Sequence, residues 1–481
     1  MKNIYIGIDV GTTSLKALAL TEDGECIATS KRSYDLCANG AEATQNAEDW
    51  YDAAVSAIRE IAENVKDIGV IRAISTSAQG GASVLLDENG KTMTPAYSWM
   101  DNRAVQESEE LKSKFGADTF YGRYGWRMQP NADAAKLLWM KKNIPELYKN
   151  AKLFPSTLGF INQRLTGNCV EDPTCAAIRR LYDVNKCEIS GDLLEFLELT
   201  EEKLPKTLRS GAFVGTLTAE AAAKTGLSED VRVYNGAHDQ YCASVGSGAV
   251  NAGQLLLATG TAWVLFGVTE APLFGESRIS PCLHPAGGYG AISTVTGIGA
   301  AFEWLSKLTN TPLPELSAGA SERKGKNDNL FFRPSATGTG LLIGNSLGAH
   351  IAGLTIGHDK YDLALALMEG AAFETALVIE EYKKSGMSNI SSVTMSGGAT
   401  ASVFWQSLIA DVTGLDVYAS KQTDSPALGA AIIAMAMDSG ADIQSAVKLV
   451  SAECSKVVPS EYSDYYKAKF ERYKEWRKTH S

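Results

Sequence analysis

The sequence predicts an α/β protein of two domains facing each other across a cleft. Its 481 residues exceed what one hydrophobic core supports, since single cores stop growing beyond about 250–300 residues. Strand and helix signals alternate through the first half, as in α/β domains. A run of strand, Gly/Thr turn and strand at the amino terminus recurs near residue 254.

Each element follows from local pattern. Residues 4–10 are nearly all apolar and end in Gly11-Thr12-Thr13; residues 16–20 read as a second strand, closed by the turn Glu22-Asp23-Gly24. Asn46 can cap a helix whose apolar stripe is Trp50, Ala54, Ile58, Ile61 and Val65, spaced by three and four. Residues 70–77 return as a strand, and Asp87-Glu88-Asn89-Gly90 is a hairpin turn. The second half begins with the repeat of the opening motif, in which residues 254–259, Gly260-Thr261 and Ala262-Trp263-Val264 take the same order. The small and polar residues 247–253 mark a boundary between domains 1–248 and 249–481, with the character of a hinge. Helical stripes follow at 361–382, through Leu363, Leu367, Ala371 and Phe373, and at 404–412. Residues 461–480 read as a terminal helix docked by Tyr462, Tyr465, Tyr466, Phe470, Tyr473 and Trp476.

Composition narrows the partners. The chain has 45 Lys+Arg against 56 Asp+Glu, a net charge of −11, and no basic block, which excludes a nucleic-acid backbone as the expected partner. Eight scattered cysteines lack C-x-x-C pairing and point to reduced thiols. No run of 18 apolar residues is present, so no membrane span is expected, and the location read from these features is cytoplasmic. Small molecules are the expected partners; a homodimer is left open.

The chemistry-bearing residues cluster in turns. Asp9 precedes Gly11-Thr12-Thr13-Ser14 at a strand end, where a carboxylate can hold Mg2+ through water and the turn can direct N–H groups and hydroxyls at phosphate. The competing reading is an Asp that caps its own turn. Asp239 sits between Ala237-His238 and a Gly/Ala/Ser run, close enough in principle to a substrate hydroxyl to act as a base. No Gly-x-x-x-x-Gly-Lys-Ser/Thr or Gly-x-Gly-x-x-Gly motif occurs, which argues against P-loop and dinucleotide enzymes.

Five segments in order, residues 4–14, 95–103, 164–167, 236–248 and 395–399 with 427–431, resemble the FGGY carbohydrate kinases of the actin/hexokinase superfamily. The resemblance implies two ribonuclease-H-like domains, ATP as phosphoryl donor and Mg2+ as cofactor. It implies Asp239 as catalytic base and a phosphate grip by Gly11, Thr12, Thr13 and Ser14 with Thr259, Gly260 and Thr261. It also implies an adenosine pocket at Gly397 and Gly398, assisted by Ser402. The sugar would meet Gln79, Gly80, Gly81, Trp99, Asp101, Arg103 and Gln240, with His238 as a supporting hydrogen-bond donor; a plain structural pair is the alternative for Asp101 and Arg103.

The chain departs from the family on the sugar side. Gly80-Gly81 stands where xylulokinase-like members have Met-His, which predicts vacant space in the sugar pocket. The Arg-Glu-Thr triplet of glycerol kinases is absent, the Gly-Glu-Arg-Thr-Pro loop is missing near 334–344, and Lys-Asp-Tyr is replaced around Thr157-Leu158-Gly159. D-xylulose is the leading substrate; L-xylulose, L-ribulose, fuculose, gluconate or a polyol are alternatives, as is a non-catalytic sensor on the same fold.

Overall fold

Alternation in the first strand commits both faces of a sheet. In β1 (Lys2–Val10), Ile4, Ile6, Ile8 and Val10 lie on one side of the pleat and Tyr5 and Gly7 on the other. The computed structural model describes residues 1–275, 279–326, 328–334, 348–420, 424–450 and 454–479. β1 pairs antiparallel with β2 (Ser14–Thr21), and β2 with β3 (Cys26–Ser33). Gly24, at φ +85°, closes the turn between β2 and β3. The Asn46 side chain accepts from Glu48 N and starts α1 (Ala47–Val65). The whole expected stripe from Trp50 to Val65 is buried against the isoleucine face.

β4 (Gly69–Ala78) runs parallel to β1. A long excursion that includes α2 (Asp133–Asn143) precedes β5 (Phe213–Thr216) and β6 (Arg232–His238), and the sheet order is β5-β6-β4-β1-β2-β3. Val10 is in register with Ala78 and Ala78 with His238, so three parallel strands end together. Their ends carry Asp9, Gln79 and Asp239.

After α3 (Asp239–Gly246) the plan repeats. β7 (Gln254–Thr259) and β8 (Trp263–Thr269) form an antiparallel hairpin. The sheet continues with β9 (Ser280–Leu283) and β10 (Tyr289–Thr296), then β11 (Ser392–Gly397), β12 (Asp416–Ser420) and β13 (Cys454–Val457), in the order β9-β10-β8-β7-β11-β12-β13. β11 is parallel to β7, as β4 is to β1, so the echo in sequence is an echo in topology. All the strands of the first large sheet precede residues 247–253 and all those of the second follow. Helices α4 (Ile298–Thr309), α5 (Lys360–Lys384) and α6 (Val403–Thr413) belong to the second unit.

One helix does not respect that division. α7 (Ser425–Ser439) follows β12 in sequence but packs on β1, β4 and α3 of the first unit. Contact is backbone to backbone: a Cβ on Gly7 would lie 1.9 Å from Ala427 O, one on Gly429 1.9 Å from Cys242 O, and one on Gly246 2.0 Å from Ser425 O. The run Ala427-Leu428-Gly429-Ala430-Ala431 is small because a larger side chain would push these backbones apart. The terminal helix α8 (Ser463–Thr479) docks as expected through buried Tyr466, Phe470 and Tyr473, with Phe470 stacked on Phe373 and Lys469 paired at 2.5 Å to buried Glu369.

His284 is buried beside Tyr241 and Phe266 in the core that both units share. Burial alone holds its imidazole neutral, lowering its pKa to about 3. The unfolded chain therefore takes up a proton below the ordinary histidine value near 6.5 that the folded chain refuses, and stability falls as pH drops from about 6.5 towards 3. Urea titrations at pH 7 and pH 4.5 should show this loss, and His284→Asn should reduce the difference between the two. Gly429→Val should destabilise the chain by at least the ~1–3 kcal/mol of overpacked cores, read as a lower urea midpoint; an unchanged midpoint would mean that α3 and α7 can separate freely.

Candidate active site

The first Gly/Thr turn is built by hydrogen bonds from distant residues. Gly11 N donates to Ser14 O, Tyr34 Oη to Gly11 O at 2.6 Å and Gln45 Nε2 to Thr12 O at 2.6 Å; Trp99 Nε1 donates to Thr12 Oγ1 at 2.9 Å. Thr13 is left exposed at the apex. Behind the turn, Asp9 accepts from Ser77 Oγ at 2.8 Å. Burial raises the Asp9 carboxyl to about 7, and the negative charge of Asp239 adds to the rise, so these two carboxylates share one electrostatic site. Lys16, directly across the hairpin from Asp9, has its ammonium 2.6 Å from Asp424, the residue that leads into α7.

Asp239 is the first residue of α3, and His238 caps the helix, its ring accepting from Gln240 N. Gln79 N donates to Val10 O and Gln79 Nε2 to Gln45 Oε1, which ties the end of β4 to the turn. Asn131 Nδ2 donates to Trp99 O. Among the described residues, four buried oxygens here accept no hydrogen bond: Gln79 Oε1, Asn131 Oδ1, Asp239 Oδ1 and Gln240 Oε1. Unsatisfied buried acceptors cost free energy unless a ligand supplies donors. A set that consists only of acceptors matches a ligand rich in hydroxyls.

The wholly buried Lys136 of α2 donates to Gly81 O, Tyr97 O and Ser98 O and pairs with Asp133. Asp133 also holds Arg179, which pairs with Glu171. This chain of charges fixes the backbone of both loops in which the sugar residues are expected.

Two sequence expectations change on the sugar side. Asp101 has no exposed surface: its oxygens accept from Ala43 N, Arg103 N and the Arg103 guanidinium, at 2.7–3.2 Å. Arg103 in turn lies over the Tyr97 and Trp139 rings. The pair organises the 97–103 loop, with the Asp101 carboxylate satisfied from within the chain and Arg103 also 3.5 Å from Glu42. Gly80 also leaves no vacancy. A Cβ there would lie 2.5 Å from His238 Cδ2 and 2.7 Å from Ile178 Cδ1, so the imidazole occupies the volume expected to be empty. Gly81, at φ +71°, would place a Cβ 3.3 Å from Trp99 Cβ. The missing loop near 334–344 lies, beyond Pro334, outside the described residues.

On the second sheet, Thr259, Gly260, Thr261, Gly398 and Ser402 line a cavity of about 430 Å3 whose apolar wall includes Trp263, Phe302 and Trp405. Gly397, at φ +92°, is placed where a Cβ would lie 2.9 Å from Thr259 O, and Thr259 Oγ1 bridges Ser396 O and Ala399 N. Ser402 caps α6 and its hydroxyl lies 2.8 Å from Ser317 Oγ. Gly299, at the start of α4, approaches Gly260 O so closely that a Cβ would be 2.3 Å away.

Sequence reasoning passed over Lys16, Gln45, Asn131, Lys136 and Asp424. Lys16 had a signal, a lone charge in an otherwise apolar strand; the others had none, since their partners are distant in the chain. Among the described residues no cluster of three or more His, Cys, Asp or Glu is placed to hold a metal ion, and no helix is long and apolar enough to cross a membrane.

Residues 4–246 match the N-terminal domain of the FGGY family of carbohydrate kinases, and residues 255–437 its C-terminal domain. The chain is 28% identical over 442 residues to the xylulose kinase of Escherichia coli (strain K12), covering 90% of this chain and 89% of that one. It is 23% identical over 450 residues to the gluconokinase of Bacillus subtilis (strain 168), covering 90% and 88%. A ligand-bound xylulose kinase from Lactobacillus acidophilus superposes with a TM-score of 0.92 at 24% identity, covering 99% and 98% of the two chains, a likeness of fold.

The buried Asp101–Arg103 pair carries a prediction of its own. Asp101→Ala leaves a guanidinium without its partner and should cost about 3–5 kcal/mol of folding stability, measured by denaturant unfolding. A variant of parent stability but altered sugar KM would return Asp101 to the sugar pocket.

Proposed function

This chain belongs to the FGGY family of carbohydrate kinases, and we propose that it transfers the terminal phosphoryl group of ATP to a hydroxyl of a neutral ketose, D-xylulose first. The observation that carries the substrate class is a group of four buried, donorless oxygens: those of Asp239 and Gln240 at the start of α3, of Gln79 just after β4, and of Asn131, which is bonded to Trp99 O. Hydroxyls of an uncharged sugar satisfy them; the carboxylate of an aldonate would meet acceptors and carboxylates, which disfavours gluconate despite the gluconokinase relative. Relatives named xylulose kinases support D-xylulose among the ketoses.

In this reading residues 1–248 hold the sugar and 249–481 the nucleotide, with 247–253 as hinge. Trp99 covers the sugar, while Gln79, Asn131 and Gln240 orient its hydroxyls. Asp239 takes the proton of the attacking hydroxyl; alignment and charge neutralisation supply most of the remaining rate in phosphoryl transfer. The N–H groups and hydroxyls of Gly11–Ser14 and Thr259–Thr261 grip phosphate, and the 397–402 segment with Trp263 and Trp405 seats the adenosine. Lys16 can exchange Asp424 for a phosphate oxygen. Asp9 would hold a Mg2+ that arrives with the nucleotide and keeps most of its water: the raised carboxyl beside a second carboxylate fits a cation, and the ion would neutralise phosphate charge.

Asp239→Asn should leave sugar and ATP binding near the parent values and lower kcat by the ~10²–10⁴-fold ascribed to a positioned base. A coupled ADP-release assay over ketopentoses, ketohexoses, polyols and aldonates tests the substrate; the highest kcat/KM on an aldonate would overturn the neutral-ketose reading.

A further inference from the structure

The main-chain carbonyl of Thr12 decides which end of a distant amide is left over. Gln45 Nε2 donates to Thr12 O at 2.6 Å, and Gln79 Nε2 donates to Gln45 Oε1 at 3.0 Å. A backbone carbonyl only accepts, so the Gln45 atom beside it has to be the NH2 group. That turns Gln45 Oε1 towards Gln79, which meets it with its own NH2 group. Turning over either amide, or both, would set oxygen against oxygen at Thr12 or between the two side chains. Gln79 Oε1 is what remains, a buried acceptor with no donor among the described residues.

The ends of this relay are fixed. Gln45 is buried, closes the strand Glu42–Gln45 in register with Ala96, and precedes Asn46, the cap of α1. Thr12 Oγ1 accepts from Trp99 Nε1, and Gln79 N donates to Val10 O. The series Thr12, Gln45, Gln79 therefore has one polarity, set by a main-chain group that no side-chain rotation can reverse.

Resting on the assignment of Gln79 to the sugar, we propose that Gln45 is a positioning residue for substrate selection: it locks the Gln79 amide so that only the oxygen is offered to the substrate. Gln79 then reads a donor. A sugar hydroxyl pairs with it, whereas a ligand that brings a C–H group or an acceptor to that place leaves Oε1 unpaired. Each polar atom of Gln45 has its partner within the chain, so Gln45 acts on the sugar through Gln79.

The test uses the preferred sugar and its monodeoxy analogues. In the parent, one analogue should lose about tenfold in kcat/KM, the worth of one neutral hydrogen bond. Gln45→Met fills similar space without polar hydrogens and frees Gln79 to turn its NH2 group over, so the penalty on that analogue should shrink severalfold. Gln45→Ala makes the same measurement if the Met variant folds poorly, a parent-like thermal midpoint marking the variant to use. Gln45→Glu still gives Gln79 an oxygen to donate to, in either protonation state, and should keep the parent's penalty. In a Gln79→Leu background, Gln45→Met should leave sugar KM unchanged, because the residue it acts through is gone. An undiminished penalty in Gln45→Met, a penalty lost equally in Gln45→Glu, or the same change in sugar KM with and without Gln79 would each overturn the proposal. A Gln79→Leu variant that keeps the penalty would instead remove Gln79 from the sugar site, the reading on which the proposal rests; a penalty lost in Gln79→Leu but intact in Gln45→Met would sink this inference alone.

Discussion

The close crossing of α3 and α7 holds the rest of the structure in place. Both helices begin at the site: α3 with Asp239, α7 just after Asp424. Because they touch at Gly246 and Gly429 with their backbones in contact, and α7 also rests on Gly7 of β1, their starting points cannot shift independently. Asp239, the partner of Lys16 and the strand that carries Asp9 next to its end are therefore positioned by one packing contact built on Gly7, Gly246 and Gly429. The glycines of that contact put no side chain between the two backbones, so the two helices approach as closely as their main chains allow.

Charge buried away from the reaction gives the site its second layer of order. Lys136, Asp133, Arg179 and Glu171 are all fully buried, and each is paired. Desolvating so many charges gains little net stability over an apolar core; what it supplies is direction. Carbonyls from two separate loops converge on one ammonium, so Gly81 and the 97–98 backbone are set relative to each other before a ligand arrives. The Asp101–Arg103 pair does the same for the next few residues.

Local pattern made most of the fold legible. The capping Asn46, the stripe of α1, the Gly24 turn and the aromatic face of α8 each depend on residues within a turn or two of one another. The repeated hairpin was also readable, because its strands are adjacent in sequence. What escaped was decided by contacts between distant segments. The chain around Gly80 says nothing of a ring from residue 238, and the Asp101–Arg103 spacing is compatible with either a ligand clamp or a structural pair. Asn131, in an unremarkable polar stretch, meets the site through a hydrogen bond to Trp99 O, 32 residues away in the chain. The α7 motif was visible as a family feature, yet its physical reason required the opposing helix.

The placement of α7 bears on how the protein is made. The face of the first sheet that carries Tyr5 and Leu18 packs in one core with Ala427, Leu428 and Ala431. Translation delivers the strands of that sheet first and the helix that covers them only at residues 425–439, close to the end of the chain. Throughout the intervening synthesis an apolar surface belonging to the amino-terminal half stands open on the ribosome, at about 5–20 residues per second. The amino-terminal half cannot finish folding on its own schedule, and a chain cut short before α7 would be a partner for chaperones or proteases in place of a smaller folded protein.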